Sequence, residues 1–337
     1  MKSRERVLRA INFNYPDRAP ISHAILPAAR IKYGKALDDI LCDVHEDFGW
    51  DFLPDMKRED LPPLYKGGYN YDEFGTLWRV EVEGMCGIPV EWPISDWSKY
   101  NSFRWPKFST GQPRARLYSG HMEGRSDEYY ARGAWITFFE QMQQLRGMEN
   151  FFADLAYQSK EVYQLRDDLL KFNLEWLERW LEHTYDGLHF ADDWGSQQGL
   201  LISPELWQKF FKPCYKEMFD RVIAKGVDIH FHSDGNILEI IPDLLDMGVK
   251  VLNCQSSIIG LEKLKRNFAG RVCFRTDLDR QIVMPFGTPR EVREHILEIF
   301  KHLGTEKGGI IACGEIGPDT PLENIRAMYE TFMNYWY

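Results

Sequence analysis

The stretch that begins Ser203-Pro204-Glu205-Leu206 and runs through Lys225-Gly226 into Val227-Asp228-Ile229-His230-Phe231-His232 reads as a helix followed by a buried strand. Ser203 and Pro204 open the helix. Leu206, Phe210, Phe211, Cys214, Met218, Val222 and Ile223 then recur at helical spacing until Gly226 ends it. The same alternation extends in both directions. Strands are expected at 19–24, 50–54, 134–138, 187–192, 249–253, 271–275 and 309–313, which with 227–232 makes eight. Thr288-Pro289-Arg290-Glu291 and Thr320-Pro321-Leu322-Glu323 each have the form of a capping box and predict two further helix starts.

Eight strands with intervening helices predict a closed (β/α)8 barrel with its reactive groups at the C-terminal strand ends. The chain, 1–337, is read as one such domain with an N-terminal extension. Segment 60–130, with Pro62-Pro63, Gly67-Gly68 and many aromatics, is expected as an insertion over the barrel mouth. No G-x-G-x-x-G or P-loop follows any expected strand, so an open nucleotide-binding sheet has no support.

The composition narrows the function class. The 337 residues are 44% hydrophobic and 14% aromatic, enough for a sizeable core, and the net charge of -10 comes without a basic cluster. Nucleic acid and anionic membrane surfaces are therefore not expected as partners. There is no signal-peptide-like start and no run of about 18 apolar residues, so the protein is expected to be cytoplasmic. The six cysteines are scattered without a CxxC pair, which argues against a disulfide framework.

The expected strand ends carry the chemistry. His230-Phe231-His232-Ser233-Asp234-Gly235-Asn236 lies at one of them and Ala312-Cys313-Gly314-Glu315 at another. Imidazole, thiolate and carboxylate converging there suit a zinc ion that keeps one position open for substrate. On spacing alone, His230 as a satisfied barrel residue and Cys313 as a small buried hydrophobe remain open. Asp192 and Asp193 are paired carboxylates able to bind metal or to do acid–base work, or else to cap a loop. Trp194, Gln197, Asp277 and His23 occupy neighbouring strand ends and are expected to bind substrate. Trp78, Trp92, Trp97, Trp105, Phe138, Phe139 and Trp194 either wall a pocket for a flat ligand or form core.

With these residues in view the chain resembles the uroporphyrinogen decarboxylase superfamily, and within it the corrinoid-linked methyltransferase branch. The resemblance rests on Arg4-Glu5-Arg6-Val7-Leu8-Arg9-Ala10 with Pro16-Asp17-Arg18-Ala19-Pro20, Asp72-Glu73-Phe74-Gly75, Leu145-Arg146-Gly147-Met148-Glu149-Asn150, Asp192-Asp193-Trp194-Gly195, His232-Ser233-Asp234-Gly235-Asn236 and Thr320-Pro321-Leu322-Glu323-Asn324. The decarboxylases carry an R-Q-A-G-R element for substrate carboxylates; here the stretch is Leu26-Pro27-Ala28-Ala29-Arg30-Ile31, which argues against decarboxylation. The resemblance aligns His232 and Cys313 with the zinc ligands of the methyltransferases, while Asp234 stands where their H-x-C motif has cysteine. That substitution gives a harder site, suited to an oxygen- or nitrogen-methyl donor.

The resemblance implies a zinc-dependent methyltransferase that moves a methyl group from a small methylated substrate, a methoxylated aromatic, to the cobalt of a corrinoid (cobalamin) on a partner protein. Asp192, Asp193 and His232 are its expected catalytic residues. His232, Asp234, Cys313 and Glu315 are its expected metal ligands. Methyl transfer from a methylcorrinoid to a thiol or tetrahydrofolate, a decarboxylase-like enzyme and a non-catalytic ligand-binding barrel stay open, as does a homodimer.

Overall fold

The computed structural model describes residues 1–49, 58–107 and 127–335. Six parallel strands, β5 Arg132–Ile136, β6 Gly187–Ala191, β7 Asp228–Ser233, β8 Val249–Cys254, β9 Cys273–Arg275 and β10 Ile310–Ile311, pair in chain order. The wall continues where β11, Glu315–Ile316, pairs in parallel with β1, Ala24–Ile25, and where Ile21 bridges Ala312. The strand expected at 50–54 lies outside the described residues. Just before it, the Asp47 N–H donates to the Ile21 carbonyl at 3.0 Å, and the Asp47 carbonyl accepts from the Tyr130 N–H at 3.2 Å. The chain thus closes between β1 and β5 as a (β/α)8 barrel.

Strand alternation sorts the side chains. Phe190 and Phe231 leave the barrel and pack on Phe219 of the helix Lys212–Ala224, while His189, His230, His232, Asn253 and Arg275 occupy the alternate positions. Below them Val251, Cys273, Ile311 and Tyr130 form an apolar cluster with Val7 and Ile11 of the N-terminal helix Ser3–Ile11, which plugs the base.

Several local expectations are refined. The helix opened by Ser203 does form, and the Ser203 side chain accepts from the Leu206 N–H. It runs Pro204–Leu206, passes through a wide π-turn at Trp207–Phe211 and resumes at Lys212–Ala224. Pro213 lacks an N–H and would crowd the carbonyl four residues back, which accounts for the widened turn. Thr288 closes its capping box with Glu291. Thr320 does not, because the helix starts one residue later, at Leu322, with Pro321 at the cap and no side-chain cap bond. In segment 60–130, β2 Gly68–Tyr71, β3 Leu77–Val80 and β4 Ile88–Glu91 form an antiparallel sheet. The Gly84 carbonyl of the β3–β4 turn accepts from the Ala28 N–H at 3.1 Å, beside the end of β1. Among the described residues no helix is long and apolar enough to cross a membrane.

Asp47 is fully buried and receives Arg6 at 2.6 Å, Arg18 at 2.8 Å and the Ile21 N–H at 2.8 Å. Asp47→Ala removes the buried anion that Arg6 and Arg18 share at the barrel seam and leaves Arg18 without a carboxylate. We expect it to lower unfolding free energy by about 3–5 kcal/mol in urea titrations, against which a loss below 1 kcal/mol would count.

Candidate active site

The loops after β6 and β7 lock together before they offer any chemistry. The Trp194 N–H donates to Ser233 Oγ at 3.0 Å, the Asp234 N–H to Asp193 Oδ1 at 2.8 Å and the Asn236 N–H to the Ser196 carbonyl at 2.7 Å. Gly195 and Gly235 meet backbone to backbone: a Cβ built on Gly235, whose φ is 77°, would lie 2.1 Å from the Gly195 oxygen. Only glycine fits that approach. The Asp192-Asp193-Trp194-Gly195 and His232-Ser233-Asp234-Gly235 runs are therefore one structural unit.

At this junction Asp193, His232 and Asp234 bring one ligand atom each within 4.8 Å of one another. His232 Nε2 lies 3.6 Å from both Asp193 Oδ1 and Asp234 Oδ1. Its Nδ1 faces Asn253 Oδ1 at 2.7 Å, and Asn253 Nδ2 donates to the Arg275 carbonyl at 2.8 Å. The amide oxygen of Asn253 must therefore accept, so His232 Nδ1 carries the proton and Nε2 turns its lone pair toward the two carboxylates. An imidazole oriented from behind by a hydrogen-bond acceptor is the arrangement metal-binding histidines use. This N,O,O donor set fits a divalent cation such as zinc. The sequence reading missed Asn253, although the β7–β8 register places it directly beside His232.

A cavity of about 120 Å³ opens above, lined by residues of β1, β5, β7, β8, β9 and the segment from Cys313 to Glu315. His23, His232, Asp277, Cys313 and Glu315 reach it, as expected, together with Arg132, Trp135, Asn253, Arg275 and Arg280. Arg280 grips both oxygens of Asp234 at 2.5 Å and Glu315 at 3.0 Å. Cys313 and Glu315 lie outside the metal-ligand group: Cys313 is buried with its thiol pKa raised by burial, and Glu315 is paired to Arg280. Burial, reinforced by Asp234 and Glu315 against the opposing Arg280, pushes the Asp277 carboxyl up to about 7.

Three expected site residues sit elsewhere. Asp192 is fully buried and accepts from the Phe138 and Glu140 N–H groups at 2.8 Å each and from the Tyr215 hydroxyl, the bonding of a cap. Trp194 is fully buried, stacked on Phe139 at 4.0 Å and packed against Trp207 and Phe211. Gln197 is exposed on the loop. The aromatics singled out from sequence are largely structural: Phe138 and Phe139 are core, Trp78 binds Asp72 and Trp105 stacks on Phe172. The indole at the cavity is that of Trp135, stacked on His189 at 4.6 Å. A larger groove along Arg4, Leu8 and Arg9 lies at the base, away from the strand ends where barrel chemistry occurs.

Comparison with known proteins gives the chain its family and its fold. A family model described as Uroporphyrinogen decarboxylase (URO-D) matches residues 131–335. Uroporphyrinogen decarboxylases from Coxiella burnetii strains Dugway 5J108-111 and RSA 493 / Nine Mile phase I are each 22% identical over 195 residues, covering 54% of this chain. The chain spans about half the length of these curated relatives, 50% of each. A methyltransferase from Methanosarcina mazei superposes with a TM-score of 0.66 at 16% identity, over 99% of this chain and 98% of that one.

Three barrel histidines are buried with depressed pKa values. Burial, aided by Arg30, lowers His23 to about 3, and burial with Arg132 and Arg275 holds His189 and His230 well below their ordinary range. Such groups stabilise the fold above pH 6.5 and lose that contribution as pH falls, while the raised Asp277 acts in the opposite sense. In His23→Gln one histidine drops out. The stability gap between wild type and variant should then narrow by up to about 1.4 kcal/mol per unit from pH 6.5 to 5, measured by thermal unfolding; a constant gap would contradict it.

Proposed function

Because the chain belongs to the uroporphyrinogen decarboxylase family, we propose that it is a methyltransferase taking a methyl group from a small methoxylated aromatic and passing it to the cobalt of a corrinoid on a separate protein. The observation that carries this reading is His232, fixed by Asn253 and aimed with Asp193 and Asp234 at one point beside the cavity. The full-length likeness to a methyltransferase supports it. So does the cavity, which at about 120 Å³ suits a single ring better than a tetrapyrrole. Where a decarboxylase would present its arginine element, Leu26 and Pro27 line the wall, and Arg30 faces Asp38 at 3.6 Å.

Asp193, His232 and Asp234 would hold the metal; zinc bound there supplies Lewis-acid polarisation of the ether oxygen. Asn253 keeps His232 in its ligating tautomer, and Arg280 fixes Asp234. Trp135 gives the ring a flat wall. Transfer would break the methyl C–O bond with both its electrons left on oxygen, and the partner's corrinoid would supply the electron pair for the new bond to carbon. Asp277 holds a proton near neutral pH and can pass it to the leaving phenolate.

Protein purified without chelator should hold near-stoichiometric zinc, lost in His232→Ala and Asp193→Asn and kept in Cys313→Ser. Incubated with free cob(I)alamin and a panel of methoxybenzenes, methylamines and methanol, it should form methylcobalamin from the aromatic ethers, with at least a hundred-fold loss in His232→Ala. Formation only from methylamines would replace the donor class; release of carboxylate from a porphyrinogen would replace the reaction.

A further inference from the structure

Two arginines, Arg132 and Arg275, line the same cavity as His232. Arg132 is 8% exposed, and its Nη1 is buried without a hydrogen-bond partner. Arg275 donates from Nη1 to Asn253 Oδ1 at 3.1 Å, while its Nε is buried and also unpartnered. Burial first, and then the neighbouring Arg275, hold the Arg132 guanidinium down to about 9. The charged groups acting on Arg132 from around it are Arg275, Glu46, Cys313 and Tyr130. Cys313 and Tyr130 are kept neutral by burial, and Glu46 accepts from the Phe48 N–H at 2.8 Å. Arg280 is already matched by Asp234 and Glu315. Arg132 and Arg275 thus each bring to this wall a buried nitrogen donor that no protein group accepts. A buried guanidinium N–H without an acceptor is costly unless a ligand supplies one.

Resting on the reading of this cavity as the methyl-donor site, we propose that Arg132 and Arg275 form a carboxylate subsite, so that the donor is a methoxylated aromatic acid. Guanidinium groups match the plane and spacing of a carboxylate. A ring lying on Trp135 then connects the acid at the arginines with a methoxy group turned toward Asp193, His232 and Asp234.

Calorimetric titration of the wild-type protein compares 4-methoxybenzoate with its neutral isostere 4-methoxybenzamide and with methoxybenzene. The benzoate should bind at least ten-fold more tightly than the amide, a difference of about 1.4 kcal/mol. That preference should shrink to less than two-fold in Arg275→Gln and in Arg132→Gln. No heat with the benzoate, equal affinity for acid and amide, or a preference kept by both variants would overturn the subsite. The acid–amide comparison needs no variant, so misfolding of an arginine mutant leaves the test intact. Tight benzoate binding without methyl transfer to cob(I)alamin would sink the proposed reaction and leave the subsite standing. Equal transfer from methoxybenzene and methoxybenzoate would do the reverse.

Discussion

The barrel depends on one buried carboxylate. Asp47 compensates Arg6 and Arg18, accepts the Ile21 N–H through its side chain and ties Ile21 to Tyr130 through its backbone. A parallel barrel needs every neighbouring segment held in register, and a single residue that bonds the segments on both its sides does this between β1 and β5 with few degrees of freedom. Arg6 binds Asp17 as well, at 2.5 Å, so the grip that closes the wall also seats the helix Ser3–Ile11 under it. The base is sealed with apolar side chains, and the polar interior opens upward only.

That interior is unusually ionisable for a barrel core. His189, His230, Arg132 and Arg275 share it, and beyond burial the two guanidinium groups push both histidines toward neutrality. The arrangement is tolerable because the histidines give up their charge and only the guanidinium groups, which cannot easily do so, are left to seek an anion. Polarity rises toward the mouth in the same order as the strand residues: Val251 below Asn253, Cys273 below Arg275, His230 below His232.

Period-two strands and capping chemistry were legible because they are local. The boxes at 288 and 320 share one sequence form, yet only Thr288 caps; at 320 the helix begins a residue late while Asn324 binds the Met284 and Gly287 carbonyls. Tertiary demands on Asn324 are invisible in the tetrapeptide. Asp192 and Asp193 are adjacent and so point apart, one into the backbone of the 138–140 turn and one toward His232; sequence located the pair without telling which member faces the cavity. Trp194 followed Asp192 into the core for the same reason. Asn253, Arg132 and Trp135 were missed because their meaning comes from register between strands, not from any motif around them.

The aspartate at 234 has a consequence that a cysteine there would not. A thiolate would give electron density to a bound metal and remain unpaired with Arg280, whereas Asp234 is already shared with that guanidinium through both oxygens. Part of its charge is spent on Arg280, so a dication held by His232, Asp193 and Asp234 would keep more of its own. Hard oxygen donors and incomplete neutralisation both strengthen attraction for an ether oxygen over a thiol sulfur. The same Arg280 pairs with Glu315, which would keep that carboxylate out of a coordination shell built on Asp193, His232 and Asp234.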